Sequence, residues 1–432
     1  MFWDRDNECM NRKELAQLQL ERLQATLNRV ARNVPFYSKQ FQQLGIEPDD
    51  FLNIEDLRRL PFTRKADLRD NYPYGLFAVP LREVVRVHSS SGATGKPTVV
   101  GYTRNDVKRW SNLTARVLCA GGVTPEDVVQ ILFHYGLFTG GFGMHYGAER
   151  LGASVIPSSS GNAERQIRIM QDYRTTAIVG TPSYALHLAD AMRDMGLGVS
   201  SLCLKYGLFG AEAWSEAMRT EIQERLGIVA TDNYGLSEVM GPGVAGECME
   251  RKGLHVNEDH FIFEIIDPDT TEPVPDGAIG ELVITTLTKE AFPVLRYRTG
   301  DLTRKLVEPC PCGRTFQRID RIRGRSDDMI TIKGVNVFPS EVEDVLIQIE
   351  GAAPHYQIVL TREEHLDKAT VMVEASDAFH FDQLGKNQEL VARIKKRLSK
   401  ALGVSFEVKL VEGKSLERST GKAKRVIDDR AI

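Results

Sequence analysis

Long apolar runs are missing from this sequence. None approaches the roughly 18 residues of a membrane-spanning helix, so no membrane partner is expected. An excess of one charge is missing too. The 55 Lys and Arg residues face 59 Asp and Glu, a formal net charge of −4, and so balanced a chain carries no overall basic footprint for nucleic acid. Cysteine is sparse, 6 in 432 residues, which excludes a disulfide-stapled scaffold and points to reduced thiols in a cytoplasmic setting. The opening Met1-Phe-Trp-Asp-Arg-Asp-Asn turns charged at once, unlike a signal peptide. No internal repeat or low-complexity tract stands out. What is present is 42% apolar and 26% charged, an ordinary globular balance. At about 150 residues per domain, the length corresponds to two or three domains.

Residues 11–34 carry Leu20, Leu23, Leu27, Val30 and Val34 at three- and four-residue steps. This spacing predicts an amphipathic helix, ended by Val34-Pro35 and packed on its own domain. From about residue 84 to 234, strand patterns (Val84–Val87, Val128–Phe133, Ser154–Ile156, Ala177–Val179, Leu204–Phe209, Val229–Thr231) alternate with helical patterns at 104–120, 162–173, 182–195 and 214–226. The alternation predicts an α/β domain with a largely parallel sheet and ligands beyond the carboxyl ends of its strands. After residue 260 the strands Phe261–Ile266, Gly280–Thr286 and Val294–Tyr297 have no helices between them, which predicts a small β-rich subdomain over about 247–322. The charged break Arg323-Gly-Arg-Ser-Asp-Asp328 separates residues 1–326 from a smaller α+β unit, 327–432, with helices at 340–349 and 387–402 and strands at 356–361, 369–374 and 405–411.

Five motifs carry chemistry. Ser89-Ser90-Ser91-Gly92-Ala-Thr94-Gly95-Lys96-Pro97 offers hydroxyl and ammonium donors on a glycine-rich backbone, as a phosphate ligand needs, although it lacks Walker A spacing. Asp232-Asn233-Tyr234-Gly235-Leu-Ser237-Glu238 puts carboxylates and an aromatic face at a strand end, where Mg²⁺ and a base could sit. Arg296-Tyr-Arg298-Thr-Gly300-Asp301 sets a carboxylate after a glycine turn, suited to two ribose hydroxyls. Gly324-Arg325-Ser-Asp327-Asp328 with Lys333-Gly334 is the fourth, and Ser419-Thr-Gly421-Lys422 the fifth. A lysine on such a turn can meet charge developing on phosphate oxygens. Taken singly, each also reads as an ordinary polar turn.

In this order the five resemble the signature set of the adenylate-forming, or acyl-activating, superfamily. His88 to Thr103, Tyr234 to Val244, Gly324 to Asp328, Gly334-Val-Asn-Val-Phe-Pro339, Asn33-Val-Pro-Phe-Tyr37 and Leu60-Pro-Phe-Thr-Arg-Lys65 are similar to the phenylacetate–coenzyme A ligase family, over essentially the whole chain. Ala93 departs from it, standing where many relatives carry a second Thr.

The resemblance implies ATP, Mg²⁺ and coenzyme A as cofactors and co-substrates, an aromatic carboxylate as substrate, an acyl-adenylate intermediate and a C-terminal domain that rotates between the two half-reactions. It implies that Ser90, Ser91, Gly92, Thr94, Gly95 and Lys96 handle the β- and γ-phosphates, and that Glu238 holds Mg²⁺ with Ser237 near the phosphate. Gly210, Ala211, Glu212, Asp232, Asn233, Tyr234 and Gly235 would border the nucleotide, and Asp301 and Arg325 would hold the ribose. Asp327 would be the hinge, Lys422 the lysine of adenylation, and Gly334 a coenzyme A contact. Tyr135, Gly136, Phe138, Phe142, Gly235 and Pro242 would line the acyl pocket, with the rings supplying flat apolar surface. A homodimer is an open expectation.

Cys310-Pro-Cys312 is a tight knuckle, and Cys248 and His255 lie in the preceding loop. Three thiolates and an imidazole satisfy a structural tetrahedral Zn²⁺, the expectation set against four incidental loop residues. Gly241-Pro-Gly243-Val-Ala-Gly246 matches the dinucleotide glycine pattern, but Pro242 and the lack of a following amphipathic helix argue against a nicotinamide site. Two other functions compete with the ligase: adenylation with transfer to a carrier protein, for which no fused carrier domain is visible, and a non-catalytic, zinc-stabilised nucleotide-binding regulator, against which Lys422, Glu238 and Asp301 argue.

Overall fold

The computed structural model describes residues 1–90, 97–326, 329–332, 335–363, 366–376, 384–417 and 423–430. Ser91, Gly92, Thr94, Gly95, Lys96, Asp327, Gly334 and Lys422 therefore lie outside the described residues.

After a single turn, α1 (Arg5–Glu8), the predicted N-terminal helix is α2 (Arg12–Asn33). Asn11 caps it, its side chain accepting from the amides of Lys13 and Glu14. The buried face differs from the leucine count. Leu15, Leu23, Leu27 and Val30 are buried as expected, but Leu20 is only half-buried, and Gln19 and Thr26 go inside instead. Both are satisfied there, Gln19 by the Glu258 carbonyl at 2.8 Å and Thr26 by the Leu287 carbonyl at 2.8 Å, so burial costs them little. Pro35 ends α2 and opens α3 (Pro35–Leu44), where its missing N–H costs nothing. A short α4 (Lys65–Asp70) leads to the hairpin β1 (Arg86–Ser89) and β2 (Val99–Tyr102), which brackets the phosphate-loop motif.

The large domain is built on one 12-stranded sheet. Strands β3 (Val128–Ile131), β4 (Ser154–Ile156), β5 (Ala177–Gly180), β6 (Tyr206–Gly210) and β7 (Val229–Leu236) pair in parallel in the order β4-β3-β5-β6-β7. Helices cover both faces: α5 (Arg104–Ala120) and α6 (Thr139–Leu151) on one, α7 (Ala163–Asp172), α8 (Pro182–Asp194) and α9 (Glu216–Leu226) on the other. On β5, Ala177 and Val179 join the first core and Ile178 the second, which is why this strand is apolar at every position.

The β-rich stretch is not a detached sheet. β8 (Gly241–Glu247) pairs antiparallel with β7 and continues the sheet through β9 (Leu254–Val256), β13 (Arg318–Ile319), β12 (Tyr297–Leu306), β11 (Ile279–Thr286) and β10 (Phe261–Ile266), with β14 (Gly324–Arg325) also on β12. The segment with the dinucleotide-like glycines is thus a fully buried strand.

The smaller domain has a two-stranded ribbon, β15 (Ile330–Ile332) and β16 (Val335–Val337), and a four-stranded sheet β19-β18-β17-β20, made of β17 (Ala352–Glu363), β18 (Leu366–Ala375), β19 (Glu407–Val411) and β20 (Val426–Asp428). Helices α10 (Pro339–Ile347) and α11 (Leu384–Leu402) share its core. Ion pairs join it to the large domain: His355 Nε2 to Asp190 Oδ2 at 2.8 Å and Lys414 Nζ to Asp194 Oδ2 at 2.6 Å. Burial alone would raise the Asp190 pKa, but bonds from His355 and Arg225 outweigh it and hold this carboxyl well below the usual range. No helix among the described residues is long and apolar enough to cross a membrane.

Helix α6 has no counterpart in the sequence reading, because Gly140, Gly141, Gly143 and Gly147 depress its helix propensity. Packing explains them. A Cβ on Gly143 would stand 2.5 Å from Trp110 Cζ2 and 2.7 Å from Pro242 Cγ, so α6 can lie against α5 and β8 only with glycine there. Gly143→Ala is therefore expected to destabilise by about 1–3 kcal/mol through overpacking, despite alanine's better helix propensity. Urea denaturation measures it. A variant as stable as the parent would contradict this account of α6.

Candidate functional site

Three strands bring the nucleotide motifs together. Tyr234 on β7 donates its hydroxyl to Asp301 Oδ2 at 2.5 Å. Asp301 on β12 sits directly opposite Arg325 of β14 in the ladder, and Arg325 Nη1 lies 3.4 Å from its other carboxylate oxygen. Tyr234 and Asp301 are buried, and burial, followed by the Asp301 charge, pushes the Tyr234 hydroxyl well above its ordinary pKa. The phenol thus stays protonated and donates to a carboxylate that is anchored from two sides. The flanking arginines of the third motif have other work: Arg296 pairs with Glu264 at 2.9 Å and Arg298 with Glu281.

Glycine is compulsory beside β7 at two points. A Cβ on Gly235 would be 1.9 Å from the Gly241 carbonyl oxygen, at the bulge where β7 meets β8. A Cβ on Gly210 would be 2.1 Å from the Asn233 carbonyl oxygen, where β6 meets β7. Asn233 is itself used internally, its amide donating to the Phe209 carbonyl at 2.6 Å. Asp232 is also inside. Burial and then the neighbouring Glu247 push its carboxyl up to about 8, although a bond from Trp214 opposes the shift. Its side chain therefore supports the strand from within. Glu212, expected at the adenine, has both carboxylate oxygens committed elsewhere: Oε1 accepts from the Ser183 amide at 2.8 Å and Oε2 from the Ala423 amide at 3.0 Å. Sequence gave no sign of Ser183 or Ala423 as its partners, because the contact joins segments far apart in the chain.

Past the bulge, Ser237 Oγ lies 3.0 Å from Thr139 Oγ1 at the start of α6. Glu238 is half-buried, and its carboxylate makes no hydrogen bond or ion pair among the described residues. A carboxylate oxygen left uncommitted at a strand end fits Mg²⁺, which takes oxygen ligands and shares them with phosphates. Ser90, the described member of the phosphate loop, bonds Thr98 through both its backbone and its hydroxyl, closing the hairpin around that loop.

The acyl-pocket residues divide. Tyr135 and Phe142 meet edge-on with centroids 5.2 Å apart, and Phe142 stacks on Tyr146 at 6.2 Å. Arg86 lies over Phe142 and Tyr146, and buried His88 faces the Phe142 ring at 5.9 Å. Burial pulls the His88 pKa down to about 4, so its ring is neutral near pH 7. Pro242 adjoins this group through Trp110, whose indole donates to its carbonyl at 2.8 Å. Phe138 meets Phe133, centroids 6.0 Å apart, and is half-buried against the same core that Tyr135 also touches. Gly136 is exposed, with nothing within 4 Å of a Cβ built there. Tyr146 and His88 escaped the sequence reading. Tyr146 was findable, four residues after Phe142 on one helical face.

The cysteine knuckle forms a cluster with Cys248, in the loop just after β8, and with His255, which lies on strand β9 and not in that loop. Sulfur atoms of Cys248 and Cys310 are 3.7 Å apart, Cys312 Sγ is 3.5 Å from His255 Nε2, and all four donor atoms lie within 4.8 Å of one another. A disulfide is excluded at that separation. A tetrahedron with metal–sulfur bonds of about 2.3 Å has sulfur–sulfur edges of about 3.8 Å. The donor set and its spacing therefore fit a four-coordinate ion. A bond from Cys248 and, against the opposing effect of burial, another from His255 hold the Cys312 thiol well below its ordinary pKa. The knuckle also anchors the N-terminus: the Thr315 amide donates to the Glu8 carbonyl, and Arg314 pairs with the buried Glu8 carboxylate at 2.6 Å.

Known proteins share this arrangement. The AMP-binding enzyme model matches residues 66–288 and the AMP-binding enzyme C-terminal domain model residues 334–430, which defines the class. A phenylacetate-coenzyme A ligase of Escherichia coli (strain K12) is 50% identical over 421 residues, 97% of this chain and 96% of that protein. The chain belongs to the phenylacetate–coenzyme A ligase family of adenylate-forming enzymes. Among solved structures, 2-hydroxyisobutyryl-CoA ligase in the postadenylation state matches with a TM-score of 0.92 at 32% identity, over 98% of this chain and 91% of that one. The same enzyme in its thioesterification state, with CoA, reaches only 0.72 at equal identity and similar coverage.

Asp301→Ala removes the acceptor shared by Tyr234 and Arg325. It is expected to weaken AMP binding at least about tenfold, the scale of a lost charge-assisted bond. Titration calorimetry reads it, and unchanged affinity would place the ribose elsewhere.

Proposed function

We propose that this chain is an ATP-dependent phenylacetate–coenzyme A ligase. The observation that carries the reading is the buried Tyr234–Asp301 pair with half-buried Arg325 on its other oxygen, and an uncommitted Glu238 four residues after Tyr234, in a chain of this family along nearly its whole length. In the first step a carboxylate oxygen of phenylacetate attacks the α-phosphorus of ATP, forming phenylacetyl-AMP and releasing pyrophosphate. In the second the coenzyme A sulfur attacks the acyl carbonyl, a thioester forms and AMP leaves. Asp301 and Arg325 would fix the ribose while the Ser91–Lys96 segment takes the β- and γ-phosphates. Mg²⁺ on Glu238 would supply charge neutralisation at the phosphates. Lys422 would meet the charge developing on the α-phosphate in the first step, Asp327 would be the hinge, and Gly334 would border coenzyme A. A cytoplasmic location and a homodimer belong to the same reading.

Tyr135, Phe142 and Pro242 would receive the aromatic ring. Apolar walls with few polar groups suit an arylacetate. Phe142→Ala is expected to raise the phenylacetate KM at least about tenfold, the scale of a lost buried aromatic contact, and to leave the ATP KM within twofold. Coenzyme A-dependent AMP release across a panel of carboxylic acids tests the reading itself. Preference for phenylacetate supports it. AMP release that needs a carrier protein, or no turnover with any acid, would contradict it.

We further propose that Cys248, His255, Cys310 and Cys312 hold a structural Zn²⁺. With four protein donors, no position remains for water or substrate. The ion would tie the loop after β8 to the β12–β13 turn and, through Arg314 and Glu8, would support the N-terminal segment. Elemental analysis should find about one zinc per chain. Cys310→Ser should lose metal and thermal stability while turnover at 25 °C changes much less. A metal-free parent with the same melting temperature would refute the site.

A further inference from the structure

The two oxygens of Glu212 serve different domains. Oε1 accepts from the Ser183 amide in the first turn of α8, and Oε2 from the Ala423 amide of the smaller domain. Ala423 directly follows Lys422 in the chain. The backbone bends just before Glu212: Ala211, between β6 and Glu212, has φ +71°, a left-handed conformation that strains a non-glycine residue. Such strain persists only where the surroundings enforce it. Beyond Ala423 the chain is firmly held in its own domain. Arg425 Nη2 lies 3.1 Å from Glu343 Oε2, its guanidinium is 4.5 Å from the Tyr356 ring centroid, and β20 begins at Val426 in register with Ile358 of β17. The segment after Lys422 is therefore fixed to the smaller domain by Arg425 and β20, and to the large domain by Glu212.

We propose that Glu212 is a positioning residue for adenylation: its carboxylate docks the segment following Lys422 onto the large domain and releases it when the smaller domain rotates for thioester formation. The proposal rests on the ligase reading above. Both partners of the carboxylate are N–H donors, so no flip of a glutamine amide can serve them. One amide would always face a donor. Glu212→Gln is thus a near-isosteric change that, in either orientation, loses one of the two bonds and removes the charge from the other, so one side of the dock is always weakened and the other opposed.

The test uses the full-length chain and separates the half-reactions. Phenylacetate-dependent ATP–pyrophosphate exchange reads the first, and conversion of supplied phenylacetyl-adenylate by coenzyme A reads the second. For Glu212→Gln, exchange kcat is expected to fall about tenfold or more, the scale of a lost charge-assisted bond. The ATP KM and the thioester half-reaction should stay within twofold, the latter also showing that the variant folds. Ala423→Pro removes the other partner's N–H and should give the same split. Equal loss in both half-reactions, a raised ATP KM at constant kcat, or unimpaired exchange would overturn the proposal. A parent protein that exchanges with a different acid and not with phenylacetate would sink the substrate assignment alone, and the split would then be read on that acid.

Discussion

The site depends on how closely β7 is flanked. Along one edge the Gly241 carbonyl stands over Gly235, and along the other the Asn233 carbonyl of β7 itself stands over Gly210 of β6, so that neither glycine has room for a Cβ. That closeness is where a parallel sheet and an antiparallel one become a single sheet. On one side β7 keeps parallel register with β6, and on the other it pairs antiparallel with β8, whose Gly243 and Val244 bulge out of register between the partners of Tyr234 and Gly235. At that register shift the burial of β7 changes: Ala230 to Tyr234 are buried, and Gly235 and Leu236 are half-buried. Asp232 and Asn233, just before it, are spent on the interior. Tyr234 reaches across to Asp301, and Ser237 and Glu238 follow beyond. A bulge that re-aims side chains at a sheet junction is a common device beside active sites.

Around this junction the chain spends its charged groups in distinct ways. Arg296 and Arg298 are bound to Glu264 and Glu281 and stiffen the strands that carry Asp301. Tyr234 and Arg325 hold the Asp301 carboxylate in one orientation, which lowers the ordering cost that any ligand on it would meet. Glu238 alone among these acids is left without a partner among the described residues. Committed carboxylates build the site, and the uncommitted one is available for chemistry.

The sequence was most informative where chemistry is carried by composition at fixed spacing. Asp301 and Arg325 were legible from short glycine motifs, and they face one another as ladder partners. The cysteine cluster was legible from residue type alone, since few other roles gather three thiols and an imidazole. Legibility failed where tertiary packing overrides local preference. The glycines of α6 read as loop because their purpose, closeness to Trp110 and Pro242, lies in other elements. The contact of Phe138 with Phe133 was not legible, because it depends on where α6 begins. The carboxylate partners of Glu212, Ser183 and Ala423, were not legible either, because no local pattern joins them to it.

The central claim is that the end of β7 beside the β8 bulge, with Asp301 and Arg325, is where the adenylate is held. A crystal structure with phenylacetyl-adenylate or a non-hydrolysable analogue tests it most directly. The account predicts both ribose hydroxyls within hydrogen-bonding distance of the Asp301 carboxylate, and the aryl ring between Tyr135, Phe142 and Pro242. An adenylate bound with Asp301 still closed on Tyr234 and no ribose contact, or with its ring away from Phe142, would contradict it.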